Sequence, residues 1–572
     1  MRFFKTFFCL LLVCSYQAQA AGFETANSAV KNMGVGWNLG NTLDAQDMTK
    51  TWKTTADHET CWGQPVTKPE LFKMMKEAGF SAMRIPVTWY QEIDQDGKVK
   101  EAWMKRVHEV VDYVIENDMY CILNVHHDTG EGNQAWLIAD EDTYAKTRAR
   151  YENLWKQIAT EFKDYDQRLL FESYNEMLDS KKSWCYASFN ATGQYNEAIA
   201  KSAYNAINSY AQSFVDIVRA TGGHNAERNL VVNTYGACCG LGTWSSHLKD
   251  PIKEMKLPTD KVKDHLIFQI HSYANLVTEK NNQLVDRSFS EIKQEFDNMF
   301  EGLVTYLQSK NAPVIAGEWG TEPVNKSKFP DQNDYRDRKP LLLEFVDYYV
   351  KKAKEKGIAT FYWMGLSDGV YRNYPAFNQP DIAETIVKAY HGSDYHGKYP
   401  TLEASDNMIA WEGEKQLGWG DGVTIPGSIF EGQSNTKYVE MTYTINMAGD
   451  DIQLCDGNWN EKLIFFIDDK SFYADFNPST YYKVPLNTEL TTALSFDTGT
   501  FSTLQQKGLV IHGQGILLKK VAIVTTPSTT GIGDAIKATN TESEKKYNLQ
   551  GQRIKKAQKG IYIRNGKKYI QR

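Results

Sequence analysis

The sequence has few cysteines and no excess of positive charge, and each of these absences excludes a class of protein. Eight cysteines in 572 residues do not make a disulfide scaffold, and their spacing contains no paired C-x-x-C metal knuckles. The net charge of −7 argues against a nucleic-acid-binding protein. The chain also lacks the G-x-G-x-x-G turn of dinucleotide-binding folds, the H-E-x-x-H motif of zinc hydrolases and an EF-hand loop. We therefore expect neither a metal nor a cofactor.

The N-terminus has the features of a targeting segment. Arg2 and Lys5 precede the apolar run 7–13. Residues 17–20 have the sequence QAQA, which offers small residues at the spacing that a signal peptidase needs. The run is too short to anchor the chain across a bilayer. We expect residues 1–20 to be a signal peptide, and the protein to be secreted or held at the cell surface after passing through the periplasm. Lipidation of Cys14 is an open alternative to cleavage after Ala20.

Two apolar segments of strand length end in a glutamate. Residues 169–176 have the sequence LLFESYNE and end at Glu176, and residues 314–318 have the sequence VIAGE and end at Glu318. A parallel barrel displays catalytic groups at the C-terminal ends of buried strands, and two carboxylates can cut a glycosidic bond. For either segment alone, a solvated loop glutamate is an equally good interpretation. Glu197 follows no buried strand, so we expect it on a helix surface.

Strand-like runs alternate with amphipathic helical stretches eight times between residues 25 and 392. This alternation predicts an α/β fold, a (β/α)8 TIM barrel. A doubly wound open sheet is the rival, but it would more often carry a glycine-rich phosphate turn after its first strand. The predicted strands are 33–39, 82–86, 121–126, 169–175, 230–233, 266–271, 314–318 and 359–363, and the predicted closing helix is 381–390.

The chain after the barrel is predicted to be rich in β structure. Helical periodicity disappears from residue 401 to 526, and short β-branched and aromatic runs replace it, which predicts an antiparallel β-sandwich or jelly roll. This domain is a candidate carbohydrate-binding module, and a purely structural domain is an equal alternative. Its candidate stacking residues are Trp411, Trp419, Trp459 and Tyr481.

The last residues are predicted to be a linker and a separate basic module. Residues 527–545 are rich in Thr, Ser, Gly and Ala, as flexible linkers are. Residues 545–572 contain ten Lys or Arg and no acidic residue, so we assign 546–572 to a module distinct from the acidic body.

Polar or titratable side chains stand at the ends of six predicted strands. An active site at the C-terminal face of a barrel needs such groups on several strands. Each one alone has a structural interpretation, as an ion-pair partner, a buried histidine or barrel filling, but together they indicate a site. They are Arg84, His126, His127, Asn175, Glu176, His271, Tyr273, Glu318 and Trp363.

These motifs resemble glycoside hydrolase family 5, in its endo-β-1,4-glucanase and xyloglucanase-like branch. The resemblance covers about residues 25–390. One departure is Met177, where many relatives have proline, and it makes the turn less rigid without changing the carboxylate. The matching segments are GWNLGNTLD at 36–44, WGQP at 62–65, MRIPVTW at 83–89, NVHH at 124–127, FESYNE at 171–176, HSY at 271–273 and GEWG at 317–320.

The resemblance implies a role for each site residue. Glu176 would be the general acid/base, with a raised pKa, and Glu318 the nucleophile, with Arg84 beneath it to keep it ionised. Asn175 would bind the sugar 2-hydroxyl, and Trp363 would stack under the sugar ring. The other supporting residues would be Asn38, His126, His127, His271 and Tyr273, of which His127 has the least support.

The implied function is that of a secreted, monomeric, retaining endo-β-1,4-glucanase acting on cellulose-like or mixed-linkage β-glucan. Xyloglucan, xylan and mannan are alternative substrates, and a non-catalytic glycan-binding protein is the alternative class. Aromatic residues make up 13% of the chain and can stack on sugar rings. The candidates near strand ends are Trp52, Trp62, Trp89, Tyr235, Trp319 and Trp363.

The basic C-terminal module has a resemblance of its own. It resembles the C-terminal modules of secreted proteins of the Bacteroidetes, which implies sorting or attachment to the cell surface. A basic tail that contacts lipid or polysaccharide is the alternative.

Overall fold

The computed structural model describes residues 22–182, 196–240, 251–322, 328–329, 332–363, 365–402, 407–430 and 433–527, and four short strands between 546 and 571. The signal peptide with Cys14 and almost all of the linker lie outside the described residues, so both stay predictions. Across the described ranges, no helix combines the length and the apolar character that crossing a membrane requires.

Eight parallel strands close a barrel between residues 35 and 363, as the alternating pattern predicts. The strands of this part are β1 (Val35–Asn38), β2 (Ala82–Ile85), β3 (Tyr120–Asn124), β4 (Leu169–Glu172), β5 (Leu230–Asn233), β6 (Leu266–Ala274), β7 (Val277–Lys280), β8 (Gln283–Asp286), β9 (Val314–Thr321) and β10 (Ala359–Trp363). β7 and β8 form a separate hairpin, and the barrel order is β1-β10-β9-β6-β5-β4-β3-β2. Because β10 pairs with β1, the rival open sheet is excluded.

Helices lie between the barrel strands along the chain, and side-chain caps begin several of them. Asn196 accepts the N–H of Ile199 at the start of α6, and Ser288 and Glu291 form a capping box at the start of α8. The predicted closing helix is α12. The helices are α1 (Ala26–Met33), α2 (Thr55–Glu59), α3 (Pro69–Ala78), α4 (Glu101–Glu116), α5 (Glu141–Glu161), α6 (Glu197–Ala220), α7 (Pro251–Glu254), α8 (Phe289–Tyr306), α9 (Asp334–Asp337), α10 (Lys339–Glu355), α11 (Val370–Asn373) and α12 (Pro380–His391).

The inside of the barrel changes from apolar to polar along the strands. At the N-terminal end, one apolar cluster includes Ala82, Ile122, Leu170, Val231, Ile267, Ile315, Ala359 and Phe361. Helix α1 closes this end, because Ala26, Val30 and Met33 belong to the same cluster. Side chains alternate between the two faces of a strand, so the next inward positions lie two residues further on. Those positions carry the buried polar side chains Arg84, Asn124, Glu172, Asn233 and Gln269.

The region after the barrel is β-rich, as predicted, and consists of antiparallel sheets. Its strands are β11 (Asn407–Gln416), β12 (Val423–Ile425), β13 (Tyr438–Ile445), β14 (Asp451–Asp456), β15 (Ile464–Ile467), β16 (Lys470–Tyr473), β17 (Asp475–Phe476), β18 (Glu489–Leu494), β19 (Leu509–Gln514) and β20 (Ile516–Val524). One sheet has the order β11-β20-β13-β18 and the other β12-β19-β14-β17. Both sheets contribute to one hydrophobic cluster, so this β domain is a sandwich.

Two short helices in the β domain were not expected from the sequence. They are α13 (Pro478–Tyr482) and α14 (Thr498–Lys507). Helix α14 begins where Asp497 accepts the N–H of Thr500 and ends before Gly508, which has a φ of 87°. Of its side chains only Phe501 and Leu504 are buried, so its apolar periodicity is too weak to recognise.

The β domain contacts the loop that follows β10, at the C-terminal face of the barrel. Val370 and Tyr371 of α11 belong to the hydrophobic cluster of the β domain. The hydroxyl oxygen of Tyr374 accepts a hydrogen bond from the backbone N–H of Ile409 at 3.0 Å. Strand β11 therefore begins beside a loop of the face where barrel active sites lie.

The predicted basic module contains four short antiparallel strands. They are β21 (Lys546–Tyr547), β22 (Arg553–Ile554), β23 (Gly560–Arg564) and β24 (Lys567–Gln571), in the order β22-β21-β23-β24. Arg564 pairs with Lys567 across β23 and β24.

Candidate active site

Arg84 lies at the centre of the polar layer, and all five of its N–H groups have acceptors. Nε and Nη2 donate to the two carboxylate oxygens of Glu172, at 2.7 and 2.8 Å. Nη1 donates to Oε1 of Glu318 at 2.7 Å and to Oδ1 of Asn38 at 2.9 Å. Nη2 also donates to Oδ1 of Asn175 at 2.8 Å. One guanidinium therefore fixes four residues, which belong to β1, to β4 and its C-terminal end, and to β9.

Glu172 is the main residue of this network that the sequence argument left without a role. It stands four residues before Glu176 and is fully buried. Burial alone would raise the pKa of Glu172, but the charge and hydrogen bonds of Arg84 and the amide of Asn124 hold its pKa below the ordinary value. Glu172 is therefore the permanent counter-ion of Arg84. The alternation of inward positions on β2, β3 and β4 was the signal that could have identified it.

A bulge in β9 turns Glu318 towards the barrel axis. The pairing of β9 with β6 shifts between Ile270 and His271, so that His271 lies opposite Glu318 instead of Gly317. In a regular strand Glu318 would face the helices, because Gly317 already faces inward. Gly317 has no room for a side chain, since a Cβ there would lie 2.2 Å from the Gln269 amide carbon. The carbonyl of Gly317 accepts a hydrogen bond from the Asn38 amide at 2.9 Å.

Both oxygens of Glu318 are held by hydrogen-bond donors. Arg84 donates to Oε1, and the Tyr273 hydroxyl donates to Oε2 at 2.6 Å. Burial raises the pKa of Glu318 above its ordinary value, and the charge of Glu176 adds to this, although His271 when it is protonated, the charge of Arg84 and the Tyr273 hydrogen bond act in the opposite direction. Arg84 thus lies against Glu318 and lowers its pKa as expected, but burial outweighs it, partly because Arg84 shares its charge with Glu172.

His271 brings the two predicted catalytic carboxylates together. Its Nδ1 lies 2.8 Å from Oε1 of Glu176 and 3.4 Å from Oε2 of Glu318. Ligand atoms of all three residues lie within 4.8 Å of one another. Glu176 is half-buried, whereas Glu318 is buried. Two glutamates that are 142 positions apart in the sequence therefore meet across one cleft.

His271 is uncharged at neutral pH. Burial lowers its pKa to about 4, although the charge of Glu318 opposes this. The amide of Gln269 lies 3.4 Å from Nε2 of His271, whereas Nδ1 faces carboxylate oxygens of both Glu176 and Glu318, which accept a proton donor. The ring proton therefore belongs on Nδ1, from which it points to Glu176.

His126 and Trp363 form the wall beside Glu318. The amide nitrogen of Asn124 donates to Nδ1 of His126 at 3.0 Å, which leaves the ring proton on Nε2, 4.0 Å from Oε1 of Glu318. Burial lowers the pKa of His126 well below its ordinary value, so this ring is also neutral. The indole of Trp363 lies parallel to His126, with ring centroids 5.7 Å apart, and is half-buried.

His127 lies apart from the two carboxylates. Its Nε2 is 3.9 Å from Oδ2 of Asp44, and its ring contacts Trp62. Burial lowers the pKa of His127 to about 4 and raises that of Asp44 to about 6. Asp44, His126 and His127 have ligand atoms within 4.8 Å of one another. The amide of Asn124 and the backbone N–H groups of Asn41 and Thr42 already satisfy His126 and Asp44.

The predicted aromatic lining is only partly present. Trp89, Tyr235 and Trp319 are buried in the core, and Trp319 stacks on Tyr349 of α10 with ring centroids 4.2 Å apart. These three candidates are therefore core residues and do not line the cleft. Trp62 and Trp363 keep exposed surface.

Glu197 lies on a helix surface, as expected. Asn196 caps α6, and Glu197 is an exposed residue of its first turn. Met177 is buried, and its carbonyl accepts the backbone N–H of Gly236 at 3.0 Å. That hydrogen bond ties the turn after Glu176 to Gly236.

A closed (β/α)8 barrel with two carboxylates meeting at its C-terminal face has the arrangement that glycoside hydrolysis requires. A family model described as cellulase, glycosyl hydrolase family 5, matches residues 44–368, more than half of the chain. The chain belongs to this family, which confirms the resemblance seen in the motifs.

Several known proteins are similar to this chain. Endoglucanase A from Clostridium longisporum is 34% identical over 356 residues, which is 61% of this chain and 60% of that protein. A solved GH5-4 broad specificity endoglucanase from an uncultured bacterium is 60% identical with a TM-score of 0.60, and the match covers 65% of this chain and 97% of that one. A family 5 enzyme from Prevotella bryantii B14, solved as a mutant in complex with a xyloglucan tetradecasaccharide, is 41% identical with a TM-score of 0.55, over 64% of this chain and 99% of that one.

Proposed function

We propose that the protein is a secreted, retaining endo-β-1,4-glucanase that hydrolyses internal bonds of cellulose-like or mixed-linkage β-glucan. One observation carries the proposal: oxygens of Glu176 and Glu318 lie within 4.8 Å of each other around His271. Retaining enzymes have carboxyl groups about 5–5.5 Å apart, whereas inverting enzymes leave about 6.5–9.5 Å for a water molecule. The spacing here supports direct attack by a carboxylate.

In the first step, Glu318 attacks the anomeric carbon and Glu176 protonates the glycosidic oxygen. The bond from the anomeric carbon to the leaving sugar breaks, and a glycosyl ester of Glu318 forms. Neutral His271 donates Nδ1–H to Oε1 of Glu176, so Oε2 of Glu176 is the oxygen that carries the transferable proton. Arg84 and Tyr273 hold the attacking carboxylate in place through its two oxygens.

In the second step, Glu176 acts as a base. It takes a proton from water, the water oxygen attacks the anomeric carbon, and Glu318 leaves as a carboxylate. The positive charge of Arg84 stabilises the carboxylate that is released. The two substitutions at the anomeric carbon together retain its configuration.

Neighbouring side chains supply contacts for the sugar. Asn175 gives its amide oxygen to Arg84, so its NH2 group is the part that can donate to the sugar 2-hydroxyl. Trp363 offers a half-exposed indole face, fixed by its stacking on His126, on which a glucose ring can stack. Nε2–H of His126 is a further donor beside Glu318.

The configuration of the first product tests the mechanism. Proton NMR during early hydrolysis of a soluble barley β-glucan should show the β-anomer of the new reducing end before mutarotation. The α-anomer as first product would contradict a retaining mechanism. Absence of any new reducing ends on every β-glucan tested would instead favour a non-catalytic glycan-binding protein.

Xyloglucan is the second candidate substrate. The Prevotella bryantii enzyme solved with a xyloglucan oligosaccharide is 41% identical, and the similar enzyme from an uncultured bacterium is described as having broad specificity. Initial rates on barley glucan, xyloglucan, carboxymethylcellulose, xylan and mannan would rank the substrates. A rate on xylan or mannan above all β-glucans would overturn the substrate assignment.

Export and surface attachment are the remaining parts of the proposal. Residues 1–20 supply the signal, and the basic module 546–572 supplies the sorting or attachment element. N-terminal sequencing of the protein from the medium and from the cell surface should begin at Ala21. A mature chain that begins with a lipid-modified Cys14 would instead support lipid anchoring.

A further inference from the structure

Two exposed tryptophans of the β domain meet over one histidine. The Trp419 side chain is 48% exposed and that of Trp459 is 42% exposed. Both rings contact His512 of β19, with centroid separations of 6.1 and 4.8 Å. These residues come from the loop before β12, the loop after β14 and β19 itself, and together they form what we call the tryptophan surface. Of the other predicted stacking residues, Trp411 and Tyr481 pack against the hydrophobic cluster.

The backbone at Trp459, which positions this ring, has a strained conformation. Trp459 has a φ of 63°, a conformation that is unfavourable for a bulky side chain. The turn is held by buried Asp456, whose carbonyl accepts the N–H of Trp459 at 2.9 Å and whose Oδ1 accepts the N–H of Asn460 at 2.8 Å. Lys507 pairs with the other carboxylate oxygen. Strain of this kind, kept in place by surrounding bonds, is typical of ligand-binding positions.

The ring of Trp419 is also fixed. Its indole N–H donates to Oε1 of Gln514 at 3.1 Å, and the amide nitrogen of Gln514 donates to the carbonyl of Gly449 at 2.8 Å. Lys415 of β11 pairs with Asp421 of the same loop at 2.6 Å. Both indoles are thus prearranged, and a ligand would lose little entropy in ordering them.

Lys415, near the end of β11 that leads to Trp419, interacts electrostatically with the barrel loop after β1. Burial raises the pKa of Asp47, but hydrogen bonds from Thr49 and the charges of Lys50 and Lys415 hold it below the ordinary value, which places Lys415 of the β domain near Asp47. The neighbouring carbonyl of Gln46 accepts the indole N–H of Trp62 at 2.8 Å, and Trp62 contacts His127.

We propose that the tryptophan surface is a second glycan-binding site, which binds a further stretch of the β-1,4-linked glucan chain that occupies the cleft. Sugar rings present apolar C–H faces, and two rigid exposed indoles match them. Strand β11 contacts the loop after β10 near its first residues and leads to Trp419 at its other end, so one strand connects the catalytic face with this surface. The identity of the polymer rests on the proposed function; the existence of the site does not.

The binding test uses the full chain with Glu318→Gln, so that the polymer is not cut. Native gels with and without soluble barley β-glucan measure affinity through retardation. Replacing Trp419 and Trp459 by alanine should weaken binding about fivefold or more. Tyr473→Ala is the matched control, because Tyr473 is 66% exposed on the same domain but outside the tryptophan surface, and it should leave retardation unchanged.

The kinetic test uses the active enzyme. The double variant should raise KM on barley β-glucan about fivefold or more and leave kcat/KM on cellotetraose within twofold of the parent. Unchanged retardation and unchanged KM would overturn the proposal, as would a shift from dimer to monomer without loss of glycan binding. If the protein hydrolyses nothing, the gel result still decides whether the site exists.

Trp459→Gly keeps the proposal testable if the double variant does not fold. Glycine suits a positive φ, so this variant should unfold at the same temperature as the parent or higher, while gel retardation weakens. A lowered unfolding temperature with unchanged retardation would show that Trp459 stabilises the domain instead, and would overturn its role in binding.

Discussion

The carboxylate site of the barrel and the tryptophan surface of the β domain are built in opposite ways. In the barrel, Arg84, Glu172 and Glu318 are buried, and hydrogen-bond partners from several strands hold each of them. In the β domain, two apolar rings are exposed, and loops fix them. Breaking a glycosidic bond requires one carboxyl group that carries a proton and one that is ionised, and burial and neighbouring charges are the means by which proteins set these states. Holding a sugar ring requires exposed apolar area in a fixed position.

This contrast predicts where substitutions act. Changes in the barrel should alter the rate and its pH dependence, and changes at the tryptophan surface should alter only the apparent affinity for long chains. The carboxylate site itself is not uniform either, because Glu172 and Glu318 contact the same Arg84 but have pKa values shifted in opposite directions.

Glu318→Gln should have the largest effect. Loss of the nucleophile should lower kcat on β-glucan by roughly 10⁴-fold or more, while the fold is kept. Glu197→Gln is the matched control, since Glu197 also follows an asparagine but is exposed on α6, and it should keep full activity. Near-normal hydrolysis by Glu318→Gln would exclude the assignment of the nucleophile.

Glu172→Gln should act on stability and on pH dependence together. Removing one partner of a buried ion pair should cost about 3 kcal/mol in the free energy of unfolding at pH 7. Because the folded-state pKa of Glu172 is lowered, its contribution is present above the pKa of the unfolded carboxyl. That contribution is lost as the pH falls through the lower folded-state value. Urea unfolding of parent and variant at pH 7 and at acid pH should show this difference shrinking.

The same variant should move the acid limb of activity to lower pH. Without the charge of Glu172, Arg84 acts on Glu318 alone, so the pKa of Glu318 falls. An acid limb that moves to higher pH would contradict the view that the charge of Glu172 weakens the effect of Arg84 on the pKa of Glu318.

Tyr273→Phe should move the acid limb of the pH–activity profile to higher pH. Activity requires ionised Glu318, whose pKa is already raised by burial, so the rate of the parent should fall as the pH drops through a value above the ordinary carboxyl pKa. Removing the hydrogen bond to Oε2 should raise this pKa further, by about one unit. The pH profile of kcat/KM measures the shift, and an unchanged limb would mean that Tyr273 does not stabilise the ionised form.

His127→Asn should have the smallest effect of the four. His127 contacts Asp44 and Trp62 and lies outside the cluster of Glu176, His271 and Glu318. We expect kcat to change less than about tenfold, because no proton is transferred through this ring. A loss as large as that of Glu318→Gln would place His127 among the reacting groups.

Much of the barrel could be predicted from the sequence because buried parallel strands leave a strong signal. All eight predicted strands are present, and β5 and β10 have the predicted bounds. The candidate site followed from the strand ends, where Arg84, Glu176, His271 and Glu318 stand. The first strand begins at Val35, later than predicted, since Met33 ends helix α1.

Other features depend on contacts that no local pattern reports. The bulge at Gly317 is defined by pairing with β6 and by the Gln269 side chain. In the sequence, Glu172 is only a strand residue that precedes a candidate catalytic glutamate. Its role as the partner of Arg84, 88 positions earlier, is visible only in the folded structure. Trp89, Tyr235 and Trp319 could have been cleft or core residues, and only packing distinguishes the two.

The position of helix α1 has a consequence for how the chain folds as it is made. Translation produces Ala26–Met33 before any barrel strand. The apolar partners of this helix nevertheless include Ala359 and Phe361 of the last barrel strand. More than three hundred residues must be synthesised before this helix can bury its apolar face. Contacts between such distant segments form slowly, so a nascent chain that stops before β10 exposes both the open barrel and the apolar side of α1. The apolar face of this helix should therefore stay exposed until the ring of strands is complete.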